Sequence, residues 1–197
     1  MSASMRAPFR IYYLHPLLAG PLTAWNAWID HAAGLGFAQL LVAPPFEASA
    51  CGDIFVTRDV ERLSPALAHG DAVTRLGQNA QPCRAPKPDC SLDLPLDQSA
   101  PDAPLRQEHP DWFRTVAAQH GTPDPRWTPS ESDSVRWRLN DPDVAGAATQ
   151  WWIDRLRRWV AAGVTGFRLL HPQRLPASLW KTLIDAVRHE VPDVAFL

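Results

Sequence analysis

The sequence predicts an α/β protein, a partial (β/α)8 TIM barrel of about four βα units plus the start of a fifth strand. Three observations predict it. Apolar runs at 37–43 and 162–170, the second carrying one arginine, are continuous rather than alternating, as in parallel strands buried on both faces. Segments of helical period lie between such runs, the clearest at 142–163 and 176–191. Strand, helix and strand fit into the first forty or so residues as one right-handed βαβ unit. A complete barrel typically needs about 250 residues, so a chain of 197 with this many units makes about half of one.

Taken in order, residues 9–16 are aromatic and β-branched and halt at Pro16, a first strand. Residues 22–35 follow as a helix with Thr23 as N-cap and Gly34 and Gly36 at its end. The second strand, 37–43, stops at Pro44. A long connection, 46–70, rises from its carboxyl end, the side on which barrel enzymes carry function. A short helix is expected at 71–78 and a third strand at 91–97, weakened by Pro95. Residues 98–141 read as an irregular Pro-rich insertion with a short helix at 111–120, the whole chain 1–197 forming a single domain. The strongest helix opens at Pro142 or Asp143 and is capped by Gly163. The fourth strand then runs to Pro172, Pro176 starts another amphipathic helix, and residues 193–197 begin the fifth strand.

Composition narrows the function classes. The formal charge of −2 comes from 19 basic and 21 acidic residues mixed along the chain, which leaves no electrostatic footprint for nucleic acid or an anionic membrane. No run of about 18 apolar residues and no apolar signal core at the start point to a span or a leader, and the cytoplasm is the expected compartment. Cys51, Cys83 and Cys90 lack CxxC spacing and read as thiols rather than a zinc site, with Cys83 and Cys90 close enough in sequence to pair on oxidation. The seven histidines show no metal-binding spacing, so neither a metal nor a cofactor is expected. His15 stands apart because it ends the first strand, where sites sit in this architecture. Glu47, Asp53 and Asp59 lie on the connection after the second strand, and solvated loop carboxylates are the commoner reading of such residues. Nine tryptophans are many, and indoles serve core packing more often than sugar stacking.

Four segments, in order, resemble the α-amylase superfamily, glycoside hydrolase family 13. Residues 40–46 (Leu-Leu-Val-Ala-Pro-Pro-Phe) are similar to its second strand and following turn. Gly52, Phe55, Asp59 and Pro65 match the segment after it, and His109-Pro110-Asp111-Trp112-Phe113 resembles a His-Pro-Trp-Phe segment after the third strand. Residues 163–180 are most similar to the maltosyltransferase subgroup, whose members transfer maltosyl units from maltose 1-phosphate onto α-glucan. The resemblance implies a retaining reaction at two carboxyl groups about 5 to 5.5 Å apart, and the departures fall on that chemistry. The nucleophile's place, two residues after Arg168, holds Leu170, which forms no glycosyl intermediate. The acid/base glutamate is implied just beyond the fifth strand. In the third-strand motif Asp93 is kept, while Asp97 and Gln98 replace asparagine and a sugar-binding histidine.

Arg168, which in the family holds the nucleophile ionised, needs another partner, because an unpaired buried charge is costly. Asp93 on the neighbouring strand is the candidate, in a structural pair. No residue is expected to be catalytic, and His15, Asp59, Asp93, Gln98 and Arg168 are the candidate substrate-binding residues. The expected function is a catalytically inactive α-amylase-like domain that binds α-glucan or maltooligosaccharide or acts as a scaffold. Two alternatives stand beside it: the amino-terminal half of an active maltosyltransferase or glycoside hydrolase completed by further sequence or a partner, and a non-carbohydrate oligomerisation module. The open half-barrel would be covered by a homodimer or another chain.

Overall fold

The computed structural model describes residues 10–80, 88–115 and 134–197. Strand β1 (Ile11–Leu14) leads into a one-turn helix α1 (Pro16–Ala19), a 3-10 turn (Leu22–Ala24) and α2 (Trp25–Gly34), which returns the chain to β2 (Gln39–Val42). An antiparallel hairpin of β3 (Phe46–Ala48) and β4 (Thr57–Leu63) precedes α3 (Ala72–Ala80). After β5 (Asp89–Leu94) come β6 (Gln98–Ser99), α4 (Pro104–Glu108), a 3-10 turn (Pro110–Trp112), β7 (Phe113–Thr115), β8 (Val135–Trp137) and the long α5 (Pro142–Ala161). Strand β9 (Gly166–Leu169), a 3-10 turn (Pro172–Arg174), α6 (Ala177–Arg188) and β10 (Ala195–Phe196) complete the order.

Five strands make one parallel sheet in the order β1-β2-β5-β9-β10, with a helical crossover between each consecutive pair. Four βα units and a fifth strand are thus present. Register separates the two faces. Leu14, Val42, Leu92, Phe167 and the partly buried Phe196 form one cross-strand row in the hydrophobic core, where full burial of such a side chain contributes roughly 1.5–3 kcal/mol. The adjacent row, Tyr13, Leu41, Ser91, Gly166 and Ala195, takes the opposite face. Gly166 is required there by close approach: a Cβ would stand 2.5 Å from Ser91 Oγ and 2.9 Å from the Ala195 carbonyl oxygen.

The longest helix forms where its end signals lie. Asp141 accepts the Asp143 N–H at 3.1 Å, Pro142 fills the first turn, and Gly163 at φ +110° turns the chain out, its N–H donating to the Val160 carbonyl. Trp152 and Trp159 on this helix are fully buried, and Trp159 stacks on Phe46 at 5.2 Å. Arg155 and Arg158 both bind Glu61 of β4 and fasten the hairpin to α5.

Several local expectations change. Thr23 does not cap α2: it lies in the 3-10 turn before it, and Ala24 holds the cap position without a side-chain bond. The third strand ends at Leu94, because Pro95 has no N–H for a ladder. The connection 46–70 is not a plain loop but carries the β3–β4 hairpin, with Glu47 paired to Arg58 across it at 2.7 Å. Within 98–141, expected to be irregular, the described residues form a three-stranded antiparallel sheet in the order β6-β8-β7. The helix expected at 111–120 is a 3-10 turn followed by a strand as far as Thr115, and 116–120 lie outside the described residues, as does Cys83. Cys90 is buried on β5. Among the described residues no helix is long and apolar enough to cross a membrane, and no group of three or more His, Cys, Asp or Glu could hold a metal ion.

Candidate functional site at the carboxyl ends of the strands

Asp93 and Arg168 are register partners on β5 and β9. Paired residues of parallel strands point to the same side, so the two side chains meet above the Ser91–Gly166 row. Arg168 Nε donates to Asp93 Oδ1 at 2.6 Å and Nη2 to Oδ2 at 2.6 Å, a bidentate pair. Tyr13 on β1 adds its O–H to Asp93 Oδ2 at 2.9 Å, and the Arg168 guanidinium lies 4.8 Å from the Tyr13 ring centroid. Asp93 is 0% exposed, whereas the Arg168 side chain is 37% exposed. Burial, then the charge and hydrogen bond of Asp93, push the Tyr13 phenol up to about 12. Burial works against the charge of Arg168, but the hydrogen bond and charge of Asp93 outweigh it and hold the guanidinium above the ordinary arginine value.

Leu170 follows on the same alternation as Arg168, its N–H donating to the Leu94 carbonyl at 3.3 Å. Next comes His171, at φ 47° and ψ 48°, the one non-glycine residue with positive φ among the described residues. A second buried carboxylate sits beside it. Asp97, with a side chain 2% exposed, accepts from Arg136 Nη1 at 2.5 Å and Arg174 Nη1 at 2.8 Å through Oδ2, and His171 Nδ1 approaches the same oxygen to 3.4 Å. Burial lowers the Arg136 guanidinium from its ordinary value while Asp97 raises it, and burial prevails.

The remaining candidates are placed differently. Gln98 is buried with both ends of its amide engaged, Nε2 donating to the Phe55 carbonyl at 3.1 Å and Oε1 accepting from Arg136 Nη1 at 3.1 Å. Asp59 lies on β4, not at the strand ends. Its carboxyl accepts the Glu61 N–H at 2.8 Å and is raised above the usual range, by burial first, against that hydrogen bond, and then by Glu47 and Glu61. Asp59 and Gln98 both line a cavity of about 150 Å³ between β4, α4 and α5, with Trp137 and Trp151 on its wall. His15 follows β1 directly, half-buried, and its Nδ1 has no partner among the described residues.

The structure therefore joins Asp93 to Arg168 as the sequence implies, adds Tyr13, and sets Asp59 and Gln98 around the flanking cavity. Tyr13 carried a usable signal, since it stands two residues before His15 in a strand. Arg136 and Arg174 carried none: only the fold brings β8 and the turn after β9 to Asp97.

A parallel half-barrel of four βα units and a fifth strand defines a fold class, and solved structures share that fold. The chain superposes on an α-amylase from Lactobacillus plantarum with a TM-score of 0.78 at 18% identity, covering 95% of this chain and 44% of that one. It also superposes on the cyclic α-maltosyl-(1→6)-maltose hydrolase of Arthrobacter globiformis in complex with maltose, with a TM-score of 0.73 at 19% identity, over 95% and 50% of the two chains. These identities establish fold alone, that of the α-amylase TIM barrels. No family model matches the chain.

Sequence relatives are more specific. The chain is 26% identical over 185 residues to the α-1,4-glucan:maltose-1-phosphate maltosyltransferase of Burkholderia pseudomallei, covering 93% of this chain and 16% of that protein. Over 109 residues it is 38% identical to the enzyme of the same name from Arcanobacterium haemolyticum, 54% of this chain and 15% of the relative. It is a relative of the α-amylase superfamily, maltosyltransferase-like in sequence, and it spans about a sixth of the length of these curated relatives.

Proposed function

We propose that this chain is an α-amylase-like domain that binds α-glucan at the carboxyl ends of its strands and, by itself, does not turn it over. The observation that carries this reading is the state of the two carboxylates at that end. Retaining glycoside chemistry needs one carboxyl group as nucleophile and a second as acid and base. Asp93 is closed off by Arg168 and Tyr13, Asp97 is held by Arg136 and Arg174, and both are almost without solvent access. Leu170 occupies the place where a nucleophile is implied. Arg168 and Tyr13, each partly exposed and positioned by Asp93, are among the groups in reach of a ligand, as is His15. The maltosyltransferase relationship supports an α-glucan or maltooligosaccharide as that ligand.

A second reading is favoured by two observations: the chain matches about a sixth of each relative, and β1 and β10 stand at the two ends of the sheet order with Ile11 and Tyr13 exposed. In that reading the domain is the amino-terminal half of a barrel whose carboxylates come from elsewhere. Maltoheptaose titrated calorimetrically into the purified chain, with reducing-sugar release and maltosyl transfer followed in parallel, decides. Saturable binding without turnover is expected. Turnover by the chain alone would sink the proposal, and absence of binding would remove the glucan.

A further inference from the structure

We infer that His171 is the residue through which this site grips its glucan, with Asp97 as the group that positions it; the inference rests on the binding reading above. Four observations converge on the imidazole. It follows directly on Leu170, so it stands at the carboxyl end of β9 where the reacting centre of a complete barrel would lie. Its backbone is in the left-handed region (φ 47°, ψ 48°), uncommon outside glycine because Cβ approaches the carbonyl oxygen, although histidine, like asparagine, adopts it more readily than most side chains. Among the described residues no other non-glycine side chain is held this way. Such strain persists where the surroundings over-determine it, and it clusters at ligand clamps.

The ring orientation supplies the chemistry. Nδ1 is buried and faces Asp97 Oδ2 at 3.4 Å, longer than a hydrogen bond, while the side chain as a whole is 39% exposed. The buried edge is thus the Nδ1 edge, and Nε2 belongs to the edge that remains open. In the ring tautomer with its proton on Nδ1, the one that a carboxylate facing Nδ1 favours, Nε2 is an acceptor for an incoming O–H. The long Nδ1 approach is of the kind that tightens when a ligand arrives. Asp97 is itself immobilised by Arg136 and Arg174, and its Oδ1 has no partner among the described residues, so it can receive the ring without losing its other partners. A neutral hydroxyl donor fits this acceptor, and a sugar hydroxyl of an α-glucan is the ligand group assigned to it.

Glycine at 171 separates a ligand role from a structural one, because it relieves the backbone and removes the ring. In His171→Gly the urea midpoint should stay level or rise, while the Kd for maltoheptaose weakens by tenfold or more. His171→Asn, which also accepts the left-handed backbone, should keep the same stability and an intermediate affinity. Wild-type affinity in His171→Gly would overturn the inference and leave glucan binding intact. A fall in the urea midpoint of both variants would overturn it in favour of a structural role. Failure of the unmodified chain to bind maltoheptaose would overturn the binding reading and this inference with it.

Discussion

Replacing Arg168 with leucine strands the carboxylate of Asp93, and the structure sets the size of the effect. Asp93 is 0% exposed and accepts three hydrogen bonds, two of them from Arg168 at 2.6 Å. Removing one partner of a buried pair leaves an uncompensated charge and costs about 3–5 kcal/mol. The reverse change, Asp93→Asn, leaves the charge on an arginine that is 37% exposed and keeps part of its hydration, so about 2 kcal/mol is expected, below the fully buried range. The double variant has no buried charge left at positions 93 and 168, and the side-chain amide carbonyl that replaces the carboxylate can still accept from Tyr13. Its loss should therefore be about 2–3 kcal/mol, well short of the sum of the two single changes, as contacting residues in one network do not add. Urea unfolding followed by tryptophan fluorescence, extrapolated linearly at constant m, measures all three. Additive losses, or an Arg168→Leu variant within about 0.5 kcal/mol of the parent, the range of an ordinary surface change, would show that the pair does not hold β5 to β9.

Gly166→Ala places a methyl group against Ser91 Oγ and the Ala195 backbone at distances no real Cβ keeps. Overpacking of this kind should cost about 2–3 kcal/mol, seen as a lower urea midpoint; a neutral result would mean that β10 can move away from β9. The Tyr13 phenol, pushed up to about 12 in the fold, ionises in the unfolded chain near its ordinary value of about 10. Its contribution is thus fully present below about pH 10 and lost as pH rises through about 12. The full shift would be worth about 2.7 kcal/mol, reduced to about 1 kcal/mol by solvent screening of a residue 44% exposed. Urea midpoints measured from pH 9 to 12, in the parent and in Asp93→Asn, check this: the loss should shrink in the variant, and equal slopes would exclude Asp93 as a cause.

Much of the architecture was legible in the residues. Continuous apolar runs, helical periods and the Pro142 and Gly163 signals define the parallel strands and α5 because each acts over a few residues. The β3–β4 hairpin and the β6-β8-β7 sheet were not legible. Their strands are short, bulged or interrupted by long connections, so no periodicity develops. Their order comes from packing on α5, through Glu61 with Arg155 and Arg158 and through the buried face of Trp137.

The sequence by itself determined the half-barrel and the pairing of Asp93 with Arg168, which follow from strand order and a two-residue alternation, and its four motif segments carried the superfamily resemblance that gives the leucine at 170 its meaning. Only the tertiary structure decided what surrounds them. Tyr13 closes over Asp93 because β1 lies two strands from β5 in the sheet. Asp97 gathers Arg136, Arg174 and His171 because the insertion folds back over the turn after β9. Residues 39 to 77 positions apart in the chain meet there, and no local rule of sequence encodes such a meeting.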